Sequence, residues 1–125
     1  MIQNTIGNKM QNVCDLSYLI EIVAGKKHLI KGIMDSFLIQ IPEELNCIND
    51  AIIKINYATI KSYSHTMKSS VSIMGISMLV PILKEMEDLG KAAVNIERIK
   101  VLNMELNSIC KQAMEEIEKV INNYI

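Results

Sequence analysis

The stretch LIKGIMDSFLIQIPEELNCINDAI, residues 29–52, decides the fold. Its apolar positions Leu29, Ile30, Ile33, Met34, Phe37, Leu38, Ile41, Leu45, Ile48 and Ile52 recur at three- and four-residue intervals, the spacing that keeps one stripe of an α-helix apolar. The stripe persists for about seven turns, which is long for a globular helix. Pro42 falls inside it. A proline removes one amide donor and crowds the carbonyl four residues back, here that of Leu38, a cost of about 3 kcal/mol in a straight helix. A kink at Pro42 is therefore expected, with a break as the alternative.

Working outward, residues 1–13 show little periodicity and read as a loose lead. From Asp15, a good N-cap residue, Leu16, Leu19, Ile20 and Val23 predict a short helix that stops at Gly25 and lies across the end of a bundle. After the long helix, Asn56 predicts the start of a third one running through His65 to about Met74, with Gly75 as its left-handed terminator. Ser77 is placed to cap the next helix, and Pro81 falls in its first turn, where a lost donor matters least. Leu79, Ile82, Leu83, Met86 and Leu89 carry that helix to Gly90. A last helix from Ile96 to Asn122 presents Ile99, Leu102, Leu106, Ile109, Cys110, Ala113, Ile117, Val120 and Ile121. The fold class is all-α: an up-and-down four-helix bundle with a short additional N-terminal helix, a single domain over residues 14–125.

Composition agrees. A chain of 125 residues that is 50% hydrophobic is one domain's worth and buries roughly two thirds of its unfolded surface. With 4% aromatic residues, no Trp and nine Met, the core is built from Ile, Leu, Val and Met, which suits interlocking helices; the methionines read as flexible core filler. Thirteen basic residues stand against fourteen acidic ones, so there is no basic stripe of the kind that a phosphate backbone requires, and nucleic acid is not an expected partner. Cys14, Cys47 and Cys110 are odd in number and far apart, and read as reduced thiols of a cytoplasmic protein. No apolar run approaches the ~18 residues of a membrane span, and the polar opening residues do not resemble a secretion signal. Met1 is consistent with a free-standing protein.

The chemistry concentrates in His65-Thr66-Met67-Lys68-Ser69-Ser70, followed by Gly75. At about 100° per residue, Ala58, Lys61, Ser62, Lys68, Ser69 and Ser72 fall within about 60° of His65, while Ile53, Ile60, Tyr63, Met67, Val71 and Met74 gather on the far side. His65 is thus expected on a solvent face made of lysines and small hydroxyls, a way of offering a nucleophile to a partner. Imidazole, with an ordinary pKa of about 6.5, is mostly neutral at pH 7, so no base has to be built beside it. Lys68, one turn later, places an ammonium where phosphoryl oxygens would lie, and Lys61, one turn earlier, adds a weaker contribution. By contrast His28 reads as a solvated histidine. Glu85, Glu87 and Asp88 read as a solvated face, not as a carboxylate pair for acid–base work.

These residues resemble the histidine phosphotransfer domain of bacterial phosphorelays, whose signature is His, two residues, Lys, usually Gly, then small residues, and Gly ten positions after the histidine. His65, Lys68 and Gly75 match it, and the likeness extends through Asp15-Leu16-Ser17-Tyr18-Leu19, Phe37-Leu38, Ile41-Pro42-Glu43-Glu44-Leu45 and Leu83-Lys84-Glu85-Met86-Glu87, roughly residues 13–120. Ser69 departs from it, standing where the family usually has Gly. The resemblance implies that His65 takes a phosphoryl group from a receiver-domain aspartyl phosphate and passes it to another receiver. Its partners would be response-regulator receiver domains and a hybrid sensor histidine kinase, docking over Ala58, Ser62, Ser69, Ser72 and Gly75. The implied Mg²⁺ sits on the partner receiver, with no cofactor or metal of this chain's own and no kinase or ATPase activity. A cytoplasmic monomer is expected. A phosphoacceptor domain detached from a chemotaxis-type kinase, and a helical adaptor without phosphotransfer, are the alternatives. A sensor-kinase dimerisation domain fits less well, because Thr66 stands where an acidic residue usually follows the histidine and Ser69 where a proline is usual about a turn on.

Overall fold

Five helices account for the regular structure in the computed structural model, which describes residues 12–125: α1 (Ser17–Ile22), α2 (Lys27–Ile53), α3 (Tyr57–Ile73), α4 (Leu79–Ala92) and α5 (Ile96–Tyr124). Each of the four long helices packs against two neighbours, α2 on α3 and α5, and α4 on α3 and α5. This ring is the expected four-helix bundle with one short extra helix. Its core is a column of Ile30, Met34, Phe37, Ile41, Leu45 and Ile48 from α2 and Ile99, Leu102, Leu106, Cys110, Ala113 and Ile117 from α5. Ile60, Met67 and Val71 of α3 and Leu79, Leu83 and Met86 of α4 close it. A seam of asparagines joins α2 to α5, where the Asn103 side-chain amide donates to Asn49 Oδ1 at 2.7 Å.

The break considered at Pro42 does not occur, and α2 runs through it from Lys27 to Ile53. Phe37, Ile41, Leu45 and Ile48 flank the proline and are all buried. At about 1.5–3 kcal/mol for each large apolar side chain, their burial outweighs the ~3 kcal/mol that a helical proline costs. Ile53 closes α2 and is 80% exposed, so it does not belong to the apolar face of α3. Ser77 makes no cap: α4 begins after Met78, which offers no side-chain bond. Nor does Gly90 end α4; it lies buried inside the helix, which turns off at Ala93 in the left-handed conformation.

Residues 1–11, most of the expected loose lead, lie outside the described residues. The chain is held firmly from Val13 on. The Val13 and Cys14 amides donate to the Glu116 carboxylate of α5 at 2.8 and 3.0 Å, and the Asp15 amide donates to the Gly75 carbonyl at 3.0 Å. Asp15 Oδ1 accepts from Ser17 N, opening α1 one residue earlier than a standard cap. With Leu19 fully buried, α1 covers the end of the bundle where α3 turns into α4.

Candidate functional site

Asn56 caps α3 as the sequence predicts, its side-chain oxygen accepting from Thr59 N at 3.1 Å. That start sets the helix phase. Ile60, Met67, Val71 and Met74 are buried, Tyr63 is half-buried, and Ala58, Lys61, Ser62, His65, Ser69 and Ser72 are exposed, while Lys68 is half-buried. The lysine and small-hydroxyl face therefore exists as one surface, with His65 at its centre and its side chain 66% exposed.

Glu87 of α4 changes the reading of this surface. Its Oε2 lies 2.9 Å from His65 Nδ1, and its Oε1 lies 2.5 Å from Lys68 Nζ. One carboxylate thus bridges the two residues singled out in the motif. It is not part of a solvated face, since its side chain is only 15% exposed, whereas Glu85 pairs with Arg98 and Asp88 with Lys84 nearer the solvent. The Lys68 ammonium, helped by the His65 hydrogen bond and opposed by partial desolvation, holds the Glu87 carboxyl below the ordinary carboxylate range. An ionised Glu87 can only accept, so Nδ1 donates to it, and in the neutral ring this leaves the lone pair on Nε2. Nε2 makes no protein hydrogen bond among the described residues. Nothing in the local sequence around His65 announces Glu87, because the partner lies on the next helix and its neighbours Glu85 and Asp88 look alike in one dimension.

Lys61, also exposed, forms no ion pair among the described residues. Gly75, at φ +65°, sits beneath the Asp15 backbone, so it shapes the end of α3, whereas Ser69 and Ser72 remain on the open face. They line a hollow of about 370 Å³ with Tyr18, Lys68 and Ile73. Tyr18, 53% exposed on α1, is a wall of this hollow that periodicity alone does not reveal. On the far side of Ile73 a larger apolar groove of about 440 Å³ runs between α2 and α3, with His28 at its edge. Among the described residues, no group of three or more His, Cys, Asp or Glu side chains could hold a metal ion, and no helix is long and apolar enough to cross a membrane.

No protein-family model matches the chain, and neither the curated proteins nor the solved structures hold a significant match to it.

Proposed function

We propose that this chain is a phosphorelay intermediate in which His65 accepts a phosphoryl group from the aspartyl phosphate of one receiver domain and passes it to another. The observation that carries the reading is the His65–Glu87–Lys68 constellation on an otherwise small-residue face. His65 Nε2 attacks phosphorus as the bond to the aspartyl oxygen breaks, and the electron pair returns to the leaving carboxylate. The Nδ1 proton stays against Glu87, whose negative charge faces the ring as it becomes cationic on forming the N–P bond. Lys68 supplies a cation for the phosphoryl oxygens. Such transfers pass through a loose transition state and need mostly alignment and charge stabilisation, which is why so sparse a site is sufficient. The receiver brings the Mg²⁺.

Ala58, Ser62, Ser69 and Ser72 form a low, exposed rim around His65 that admits a broad partner surface. In this reading the protein works as a monomer in the cytoplasm, between a hybrid sensor histidine kinase and a response regulator. Intact-mass measurement after treatment with phosphoramidate tests it. The expected result is one acid-labile phosphoryl group on the wild type and none on His65→Gln. Adding a receiver domain with Mg²⁺ should then drain the label. A protein that stays unmodified, or is modified equally in the variant, overturns the reading in favour of a helical adaptor.

A further inference from the structure

Gly90 brings the α4 backbone close against α3. A Cβ placed on it would lie 3.0 Å from the backbone nitrogen of Lys61 and 3.1 Å from that residue's Cα and Cβ. Glycine in a helix interior is disfavoured relative to alanine, and this one does not terminate its helix. Its structural return is proximity of two backbones. The α3–α4 pair is accordingly the most closely packed in the bundle.

The position of this contact is what matters. Glu87 precedes Gly90 by three residues and Lys61 precedes His65 by four, so both pairs lie on neighbouring turns of one antiparallel seam. Ser64 belongs to the same seam: it lies one turn from Lys61 and one turn from Lys68, is 0% exposed, and its hydroxyl has no hydrogen-bond partner among the described residues. Small groups thus face the junction from both helices beside the carboxylate bridge. We infer that Gly90 is a positioning residue for the phosphoacceptor: by letting the α4 backbone close on Lys61, it sets the distance at which Glu87 meets His65 Nδ1 and Lys68. The inference rests on the phosphoacceptor reading of His65 for its consequence, though not for its geometry.

A methyl group at position 90 meets backbone, which cannot swing aside as a side-chain tip would, so the helices part by a few tenths of an ångström. The Glu87–Nδ1 bond then lengthens. The ring loses the acceptor that fixes its tautomer, and a fraction of molecules carry the proton on Nε2, where no lone pair remains for attack.

The experiment follows the ring nitrogens of His65 by ¹⁵N NMR, at a pH where the imidazole is neutral, together with the rate of phosphoramidate labelling. It compares the wild-type chain with Glu87→Gln, Gly90→Ala and Gly32→Ala. Gly32→Ala is the control, since it makes the same helix-favouring change with nothing within 4 Å of the new methyl. Gly90→Ala is expected to move the His65 nitrogen signals in the same direction as Glu87→Gln, and to slow labelling roughly three- to tenfold, given that a misplacement of about 1 Å can cost about a hundredfold. Gly32→Ala should change neither. Signals that move in Glu87→Gln but stay at wild-type positions in Gly90→Ala overturn the inference and leave the function standing. A wild type that takes no phosphoryl group overturns the function, while the NMR comparison still decides the positioning. Should Gly90→Ala not fold, Ser64→Thr adds a methyl to the same seam from α3, and unmoved His65 signals there count equally against the inference.

Discussion

Glu87 sets the behaviour of the site because one carboxylate serves two partners. Its folded-state pKa lies below the ordinary value, chiefly through Lys68 and then through His65. A depressed carboxyl pKa stabilises the fold fully above the unfolded value, about 4.3 for Glu, and the contribution fades as pH falls through the lower folded value. Glu87→Gln should therefore melt below the wild type at pH 7 by a few degrees, with a smaller gap at pH 3, below the unfolded value. Thermal unfolding followed by circular dichroism at both pH values checks this. A gap of equal size at pH 3 would mean that Glu87 contributes by packing and not by charge.

At the scale of the elements, helix ends carry the local lesson. The helices α1, α2, α3 and α4 all finish with the same pair of backbone bonds, as in Ile76 N to Val71 O and Gly75 N to Ser72 O at the end of α3. The left-handed position is filled by Ala24, Ile55, Gly75 and Ala93 in turn. Only in α3 is it glycine, and there a Cβ would lie 1.8 Å from the Asp15 carbonyl oxygen. Gly75→Ala is thus expected to cost at least ~2 kcal/mol through left-handed strain and displacement of the α1 segment. Ile55 is the opposite case, a β-branched residue at φ 52° and 55% exposed. Left-handed strain of about 1–2 kcal/mol, less the greater unfolded-state freedom of glycine, leaves Ile55→Gly stabilising by roughly 0.5–1 kcal/mol. Urea denaturation of the two variants should give shifts of opposite sign, and a destabilised Ile55→Gly would contradict the account.

Across the whole molecule, the segment from Val13 to Asp15 ties the far part of α5 to the turn that ends α3. Glu116 is the anchor, accepting from both the Val13 and the Cys14 amides. Burial first, and then Glu116, push the Cys14 thiol up to about 12, so it is a poor nucleophile while the segment is seated. Glu116→Ala is expected to cost about 1.5–3 kcal/mol, the usual range for hydrogen bonds to a charged group. It should also speed alkylation of Cys14 and hydrogen exchange at Val13 and Cys14, with the core amides of α2 and α5 still protected. Cys110, also pushed up to about 12 by burial in the core, should remain unreactive and serves as the internal reference. Equal alkylation of Cys14 in the variant and the wild type would show that this segment is held by something other than Glu116.

The sequence determined the helices, their apolar stripes and the polar face around His65, because these follow from a 3.6-residue period that each segment carries within itself. It placed Asn56 and Gly75 correctly for the same reason: a cap and a left-handed turn are local chemistry. It misjudged Ser77 as a cap and Gly90 as a helix end, and of its two readings of Pro42 the break is excluded by a continuous α2, because local propensity there yields to burial in the core and to packing between helices. Glu87, distinguishable from Glu85 and Asp88 only by the side of α4 that meets α3, became a partner of His65 through tertiary structure alone. Which carboxylate faces a histidine 22 residues away depends on how closely two helices approach, and that distance is set by a glycine whose value lies in the side chain it lacks.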